Sequence, residues 1–120
     1  MKRILGLLLA ICILFYACGT EEKKLFKKIP SSTSNISFKN ELKNTPELNI
    51  LTYLYYYNGA GVAAADFNND GLIDLYFTAN QNQDKLYLNK GNFQFKDITK
   101  IAKINNSENW TTGVTHVDIN

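Results

Sequence analysis

Asp66-Phe67-Asn68-Asn69-Asp70-Gly71-Leu72-Ile73-Asp74 decides how this chain is read. Side-chain oxygens stand at loop positions 1, 3, 5 and 9, and glycine stands at position 6. That is the oxygen spacing of a calcium loop. Calcium is a hard cation that takes six to eight oxygen ligands. Asp66, Asn68, Asp70 and Asp74 supply side-chain oxygens, and the backbone carbonyl of Leu72 supplies another. Gly71 is expected to turn the chain sharply around the ion, where a Cβ would clash. Three carboxylates within nine residues repel one another unless a cation lies between them. Without an ion, the same residues read as an ordinary Asn/Asp/Gly turn.

The flanks separate this loop from an EF-hand. An EF-hand carries a helix on each side and a bidentate Glu at position 12. Position 12 here is Phe77. Gly61-Val62-Ala63-Ala64-Ala65 precedes the loop, and Ile73-Asp74-Leu75-Tyr76-Phe77-Thr78 follows it. The second run is rich in β-branched and aromatic residues, as buried strands are. The loop is therefore expected to join the two strands of a β-hairpin.

A repeat then begins. Gly113-Val114-Thr115-His116-Val117-Asp118-Ile119-Asn120 aligns with Gly61 to Asn68, 52 residues earlier. That period suits one blade of a β-propeller. The sequence stops at the third position of the second loop, so the chain reads as the N-terminal piece of a longer protein.

Gly61 to Leu75 resembles the FG-GAP repeat of integrin-type β-propellers. Lys85 to Thr99 is similar to the second half of the related VCBS-type repeat. The resemblance runs from about Asn58 to Asn120. It implies an all-β fold: one blade and the start of a second, with calcium on Asp66, Asn68, Asp70 and Asp74. The name-giving Gly-Ala-Pro is replaced by Thr78-Ala79-Asn80. Surface lipoproteins of Bacteroidetes-type bacteria carry such repeats, some followed by an ASPIC/UnbV domain. The resemblance speaks for fold more than for function.

Met1-Lys2-Arg3 is a short basic region, and Ile4 to Tyr16 is almost unbroken apolar sequence. Together they read as a secretory signal over 1–17, too short for a comfortable membrane span. Cys18 follows as the expected lipidation site, although Phe15 replaces the usual lipobox Leu. Cys12 fits less well, with bulky Ile11 before it. An uncleaved N-terminal anchor is the alternative. Both place the chain in the cell envelope, and the lipidated form is an outer-membrane or cell-surface lipoprotein. Glu21 and Glu22 resemble an acidic surface-export signal, or serve as plain solvated linker.

With Cys12 in the signal and Cys18 lipidated, the mature chain has no disulfide. Thirteen Lys and Arg, two of them Lys2 and Arg3, face eleven acids, so the mature chain is nearly neutral. Nothing in that balance argues for nucleic acid.

Residues 18–48 read as tether and linker, with a short strand at Ile36-Ser37-Phe38. The first repeat spans 49–104, and 105–120 opens the second. Asn49 to Asn58 reads as a strand into the blade, its tyrosines serving interblade packing rather than a sugar-stacking platform. Lys85 to Asn89 alternates, with Leu86 and Leu88 on one face and Tyr87 on the other. Lys90-Gly91-Asn92 is a turn, Phe93 to Ile98 the outer strand, and Trp110 an interblade side chain. His116 lies in an expected inner strand, where a histidine is ordinarily structural. No catalytic constellation or phosphate loop is visible. The chain therefore reads as a calcium-stabilised propeller lipoprotein that binds an extracellular protein or glycan. The alternatives are the propeller portion of a secreted hydrolase or lyase, and a truncated product without its own function.

Overall fold

The computed structural model describes residues 24–119. The signal region, Cys12, Cys18, Glu21, Glu22 and Asn120 lie outside the described residues. Among the described residues no helix is long and apolar enough to cross a membrane.

Four strands form one antiparallel meander: β1 (Val62–Ala65), β2 (Asp74–Phe77), β3 (Lys85–Asn89) and β4 (Phe95–Asp97). Spatial order equals chain order. The fold is all-β and consistent with a single propeller-type blade. Short polar connections between neighbours favour this arrangement, because antiparallel strands need only a hairpin. One four-residue helix, α1 (Ser31–Ser34), precedes the sheet.

Register divides the sheet into two faces. Val62 pairs with Phe77, Ala64 with Leu75, and Leu75 with Tyr87. These residues share one face with Lys85 and Asp97. Ala63, Asp74, Tyr76, Leu86 and Lys96 lie on the other. The expected alternation along β3 is present: Tyr87 is buried, and its neighbours Leu86 and Leu88 are half-buried.

Little of the interior is apolar. Among the described residues the buried hydrophobics are Tyr56, Ala63, Ala79 and Tyr87. Ser34, Asp74, Thr78, Asn80, Asp84 and Thr99 are buried as well. The blade is thus fastened by satisfied polar groups more than by an apolar core. Val62 remains 57% exposed on its strand.

Several expected elements differ. Asn49 to Asn58 is not a strand but a run of turns. Tyr53 N–H bonds the Asn49 carbonyl at 2.8 Å, and Tyr56 N–H bonds the Tyr53 carbonyl at 3.0 Å. The Asn49 side chain starts the run by accepting the Leu51 N–H at 2.9 Å. That local bond competes with strand pairing and here prevails over the β-propensity of the tyrosines. Ile36-Ser37-Phe38 forms no strand; the Ile36 N–H is taken locally by Ser34 Oγ at 3.3 Å. Residues 113–119 also form no strand, so His116 is not in one. An inner strand needs a partner from its own blade, and none is present for it among the described residues. Phe93 belongs to the turn before β4, at φ 58°. The turn itself is as expected, with Lys90 N–H on the Gln94 carbonyl at 2.7 Å.

Candidate metal loop and the polar junction beside the sheet

Ala65 pairs with Asp74, so residues 66–73 are the hairpin loop between β1 and β2. The loop wraps around Asp66. Asp66 Oδ1 accepts the Asp70 N–H at 3.0 Å, and Oδ2 accepts the Gly71 N–H at 2.7 Å. The Gly71 N–H, foremost, holds the Asp66 carboxyl below its ordinary range, joined by the N–H groups of Asp70, Asn69 and Asn68. Such bonds favour the ionised form. Asn68 Oδ1 accepts the same Asp70 N–H at 3.1 Å, while its amide donates to Asp70 Oδ2 at 2.9 Å. Asp70 Oδ1 accepts the Leu72 N–H at 2.9 Å.

Asp66, Asn68 and Asp70 therefore gather their oxygens inside one loop, and the Leu72 N–H joins them through Asp70. Asp74 is placed differently. It is fully buried, with Oδ2 on the Phe67 N–H at 3.0 Å and Oδ1 on the Asn89 N–H at 2.7 Å. Asn89 returns an amide bond to the Ile73 carbonyl at 2.9 Å and accepts the Gly91 N–H at 2.8 Å. Asp74 thus locks the metal loop to the turn after β3.

Gly71 serves the loop for a different reason from the one expected. A Cβ there would meet nothing within 4 Å, but φ is +83°. The requirement is left-handed backbone, not space. Asn69, at φ 59°, takes the same region, which Asn tolerates. Crowding instead acts at Gly61, where a Cβ would stand 2.8 Å from Val114 N and 3.0 Å from the Thr112 carbonyl oxygen. Residues 112–114 pass directly over that glycine.

The donor chemistry fits a hard cation: every side-chain acceptor in the loop is oxygen, and two of them already aim at one N–H. Each carboxylate oxygen keeps a lone pair beyond its hydrogen bond. Among the described residues no three His, Cys, Asp or Glu side chains converge into a metal-binding group. In this loop backbone N–H groups fill the positions between the oxygens. Beside it lies a groove of about 550 Å³, lined by Asp66, Asn69 and Ile73 on one wall and His116 to Asp118 on the other.

A second polar cluster escaped the sequence reading. Asp84, 2% exposed, accepts the Ala79 N–H at 2.8 Å, the Thr111 hydroxyl at 2.5 Å and the Tyr76 hydroxyl at 2.9 Å. Burial first, then the Asp84 bond and charge, push the Tyr76 phenol up to about 12. Thr78 donates its hydroxyl to the Thr112 carbonyl and accepts the Gly61 N–H at 2.6 Å. Asn80 donates to the Gly59 and Thr111 carbonyls, both at 3.0 Å. Thr78-Ala79-Asn80 is therefore the junction that ties the entry of β1, at Gly59 and Gly61, to Thr111 and Thr112. The visible signal was only a polar run at Asn80 to Asp84. Trp110 packs edge-on against Tyr53 and at a tilt against Tyr56, both at 5.5 Å, as an aromatic cluster beside this junction.

Residues 66–120 match the FG-GAP-like repeat family model. This stretch is similar to an FG-GAP-like repeat. The match starts at the first oxygen of the metal loop, and β1 lies just before it. No curated protein and no solved structure matches the chain. The likeness covers the 66–74 loop, β2 to β4 and the residues that follow them.

Proposed function

We propose that the chain is the first repeat of a calcium-stabilised, propeller-type binding module, exported and held at the cell envelope through a lipid on Cys18. The observation that carries this reading is the 66–74 hairpin loop. Within an FG-GAP-like repeat, it gathers oxygens of Asp66, Asn68 and Asp70 around a left-handed Gly71. Asp66, Asn68, Asp70, Asp74 and the Leu72 carbonyl would hold the ion. Its charge offsets the mutual repulsion of three carboxylates. Bound calcium stiffens the turn between β1 and β2, and with it the groove floor. The ligand is an extracellular protein or glycan, and the chain's own residues serve to present a surface rather than to react.

Calcium titration of the full chain by calorimetry tests the metal assignment. A Kd on the order of 10⁻⁴–10⁻³ M is expected, as in extracellular modules. Asp70→Ala removes the oxygens that meet both Asn68 and Leu72 and abolishes the heat. Magnesium competes poorly, because it keeps its waters and demands octahedral geometry. A chain with a protected sheet that gives neither heat nor a melting shift in millimolar calcium overturns the assignment.

A further inference from the structure

Residues 36–44, which precede the repeat, lie on the blade through a specific set of contacts. Phe38 stacks on Phe77 at 4.9 Å, and Phe77 meets Tyr87 edge-on at 5.8 Å. This three-ring row lies on the face shared by Val62, Leu75 and Lys85. Asn40 and Asn80 exchange bonds. Asn40 Nδ2 donates to Asn80 Oδ1 at 2.7 Å, and Asn80 N–H donates to Asn40 Oδ1 at 3.0 Å. Lys43 and Gln81 exchange bonds too, N–H to Oε1 at 2.5 Å and Nε2 to carbonyl at 3.2 Å. Asn82 Nδ2 reaches the Lys39 carbonyl at 3.2 Å. Three successive loop residues are thus each paired with the strap.

Asn80 gives the strap its reach. Its side-chain oxygen and backbone N–H are both engaged by Asn40, and its amide holds Gly59 and Thr111. Asn80 is 2% exposed. Without Asn40, two polar groups of a buried side chain and backbone lose their partners, which is costly in a low-dielectric site.

We propose that residues 36–44 are an intramolecular cap for this face of the first blade, latched by Asn40 on Asn80. While the latch is closed, Phe77 and Tyr87 are covered by the chain's own strap.

Limited trypsin digestion of the intact chain in millimolar calcium tests this. Lys27 and Lys28, in the exposed approach, are cut first. Cleavage after Lys39 and Lys43 is expected to be about tenfold slower or more, since cutting requires the strap to lift. Asn40→Ala removes that delay, so that Lys39 and Lys43 are cut as fast as Lys27 and Lys28. Phe38→Ala, which keeps the latch, raises binding of an apolar-surface dye by exposing the Phe77–Tyr87 rings. Cleavage after Lys39 and Lys43 as fast as after Lys27 and Lys28 in the unaltered chain overturns the cap, whether the strands resist or not. So does an Asn40→Ala chain whose cleavage pattern is unchanged.

Discussion

Replacing Asp74 by Ala removes the side chain that locks the metal loop to the far turn. Its carboxylate is fully buried and accepts the Phe67 N–H at 3.0 Å and the Asn89 N–H at 2.7 Å. Phe67 is exposed, so water takes over its N–H cheaply. Asn89 is half-buried, and its donor is left without a partner. A hydrogen bond to a charged group contributes about 1.5–3 kcal/mol, and with the small loss at Phe67 the change costs about 2–3 kcal/mol. At 1.4 kcal/mol per tenfold, amide protection at Asn89 falls roughly 30- to 150-fold. Hydrogen exchange followed by NMR in the presence of a chelator reads this out, and the chelator separates the structural role from ion binding. Asp74→Asn keeps one acceptor oxygen and the side-chain shape, so its loss is smaller. Protection at Asn89 within threefold of the unaltered chain in the Ala variant would refute the reasoning.

Other outcomes follow from the same contacts. The raised Tyr76 phenol means that its protonated form is the one the fold holds. Its contribution is complete below the ordinary pKa of 10.0 and is lost as pH rises from there through about 12. An alkaline unfolding titration shows that loss, and Tyr76→Phe removes it. At Cys18, palmitate label is expected on expression in a Gram-negative host. Cys18→Ser stops the labelling, and label lost only in Cys12→Ser assigns the other cysteine. Residues 19–120 alone are expected to melt broadly, because Val62, Leu75, Phe77, Leu86, Leu88 and Phe95 all remain at least partly exposed. Calcium adds only about 1.4 kcal/mol at ten times Kd. A sharp denaturant transition from a monomer in millimolar calcium contradicts this, and stability gained on appending further repeats supports it.

Much of the hairpin architecture was legible because its signals are local. Alternation at Lys85 to Asn89 gave β3 to the residue, and the aromatic run after Ile73 gave β2. The loop oxygens were legible from spacing, since residues 66–74 lie within one turn and their mutual bonds span two to five residues. The turn at Lys90 to Asn92 followed from its Gly and Asn. The errors came where composition pointed one way and a local hydrogen bond another. Asn49 to Asn58 has strand composition, yet the Asn49 side chain caps a turn and Tyr56 folds inward onto Trp110.

The sequence by itself determined the meander and the oxygen-rich 66–74 loop between β1 and β2, because these depend on side-chain period and on contacts a few residues apart. Only the tertiary structure decided how those parts are joined. The Asn40–Asn80 exchange spans 40 residues, the Thr111–Asp84 bond 27 and the Asp74–Asn89 bond 15. Polar residues at such separations read as solvated loop until the sheet brings them together. Burial then forces each donor and acceptor to find a partner. Asp74 was legible as a loop oxygen and becomes, in the fold, the tie between two turns. Asn40 was legible only as linker and becomes, in the fold, the partner of the buried Asn80.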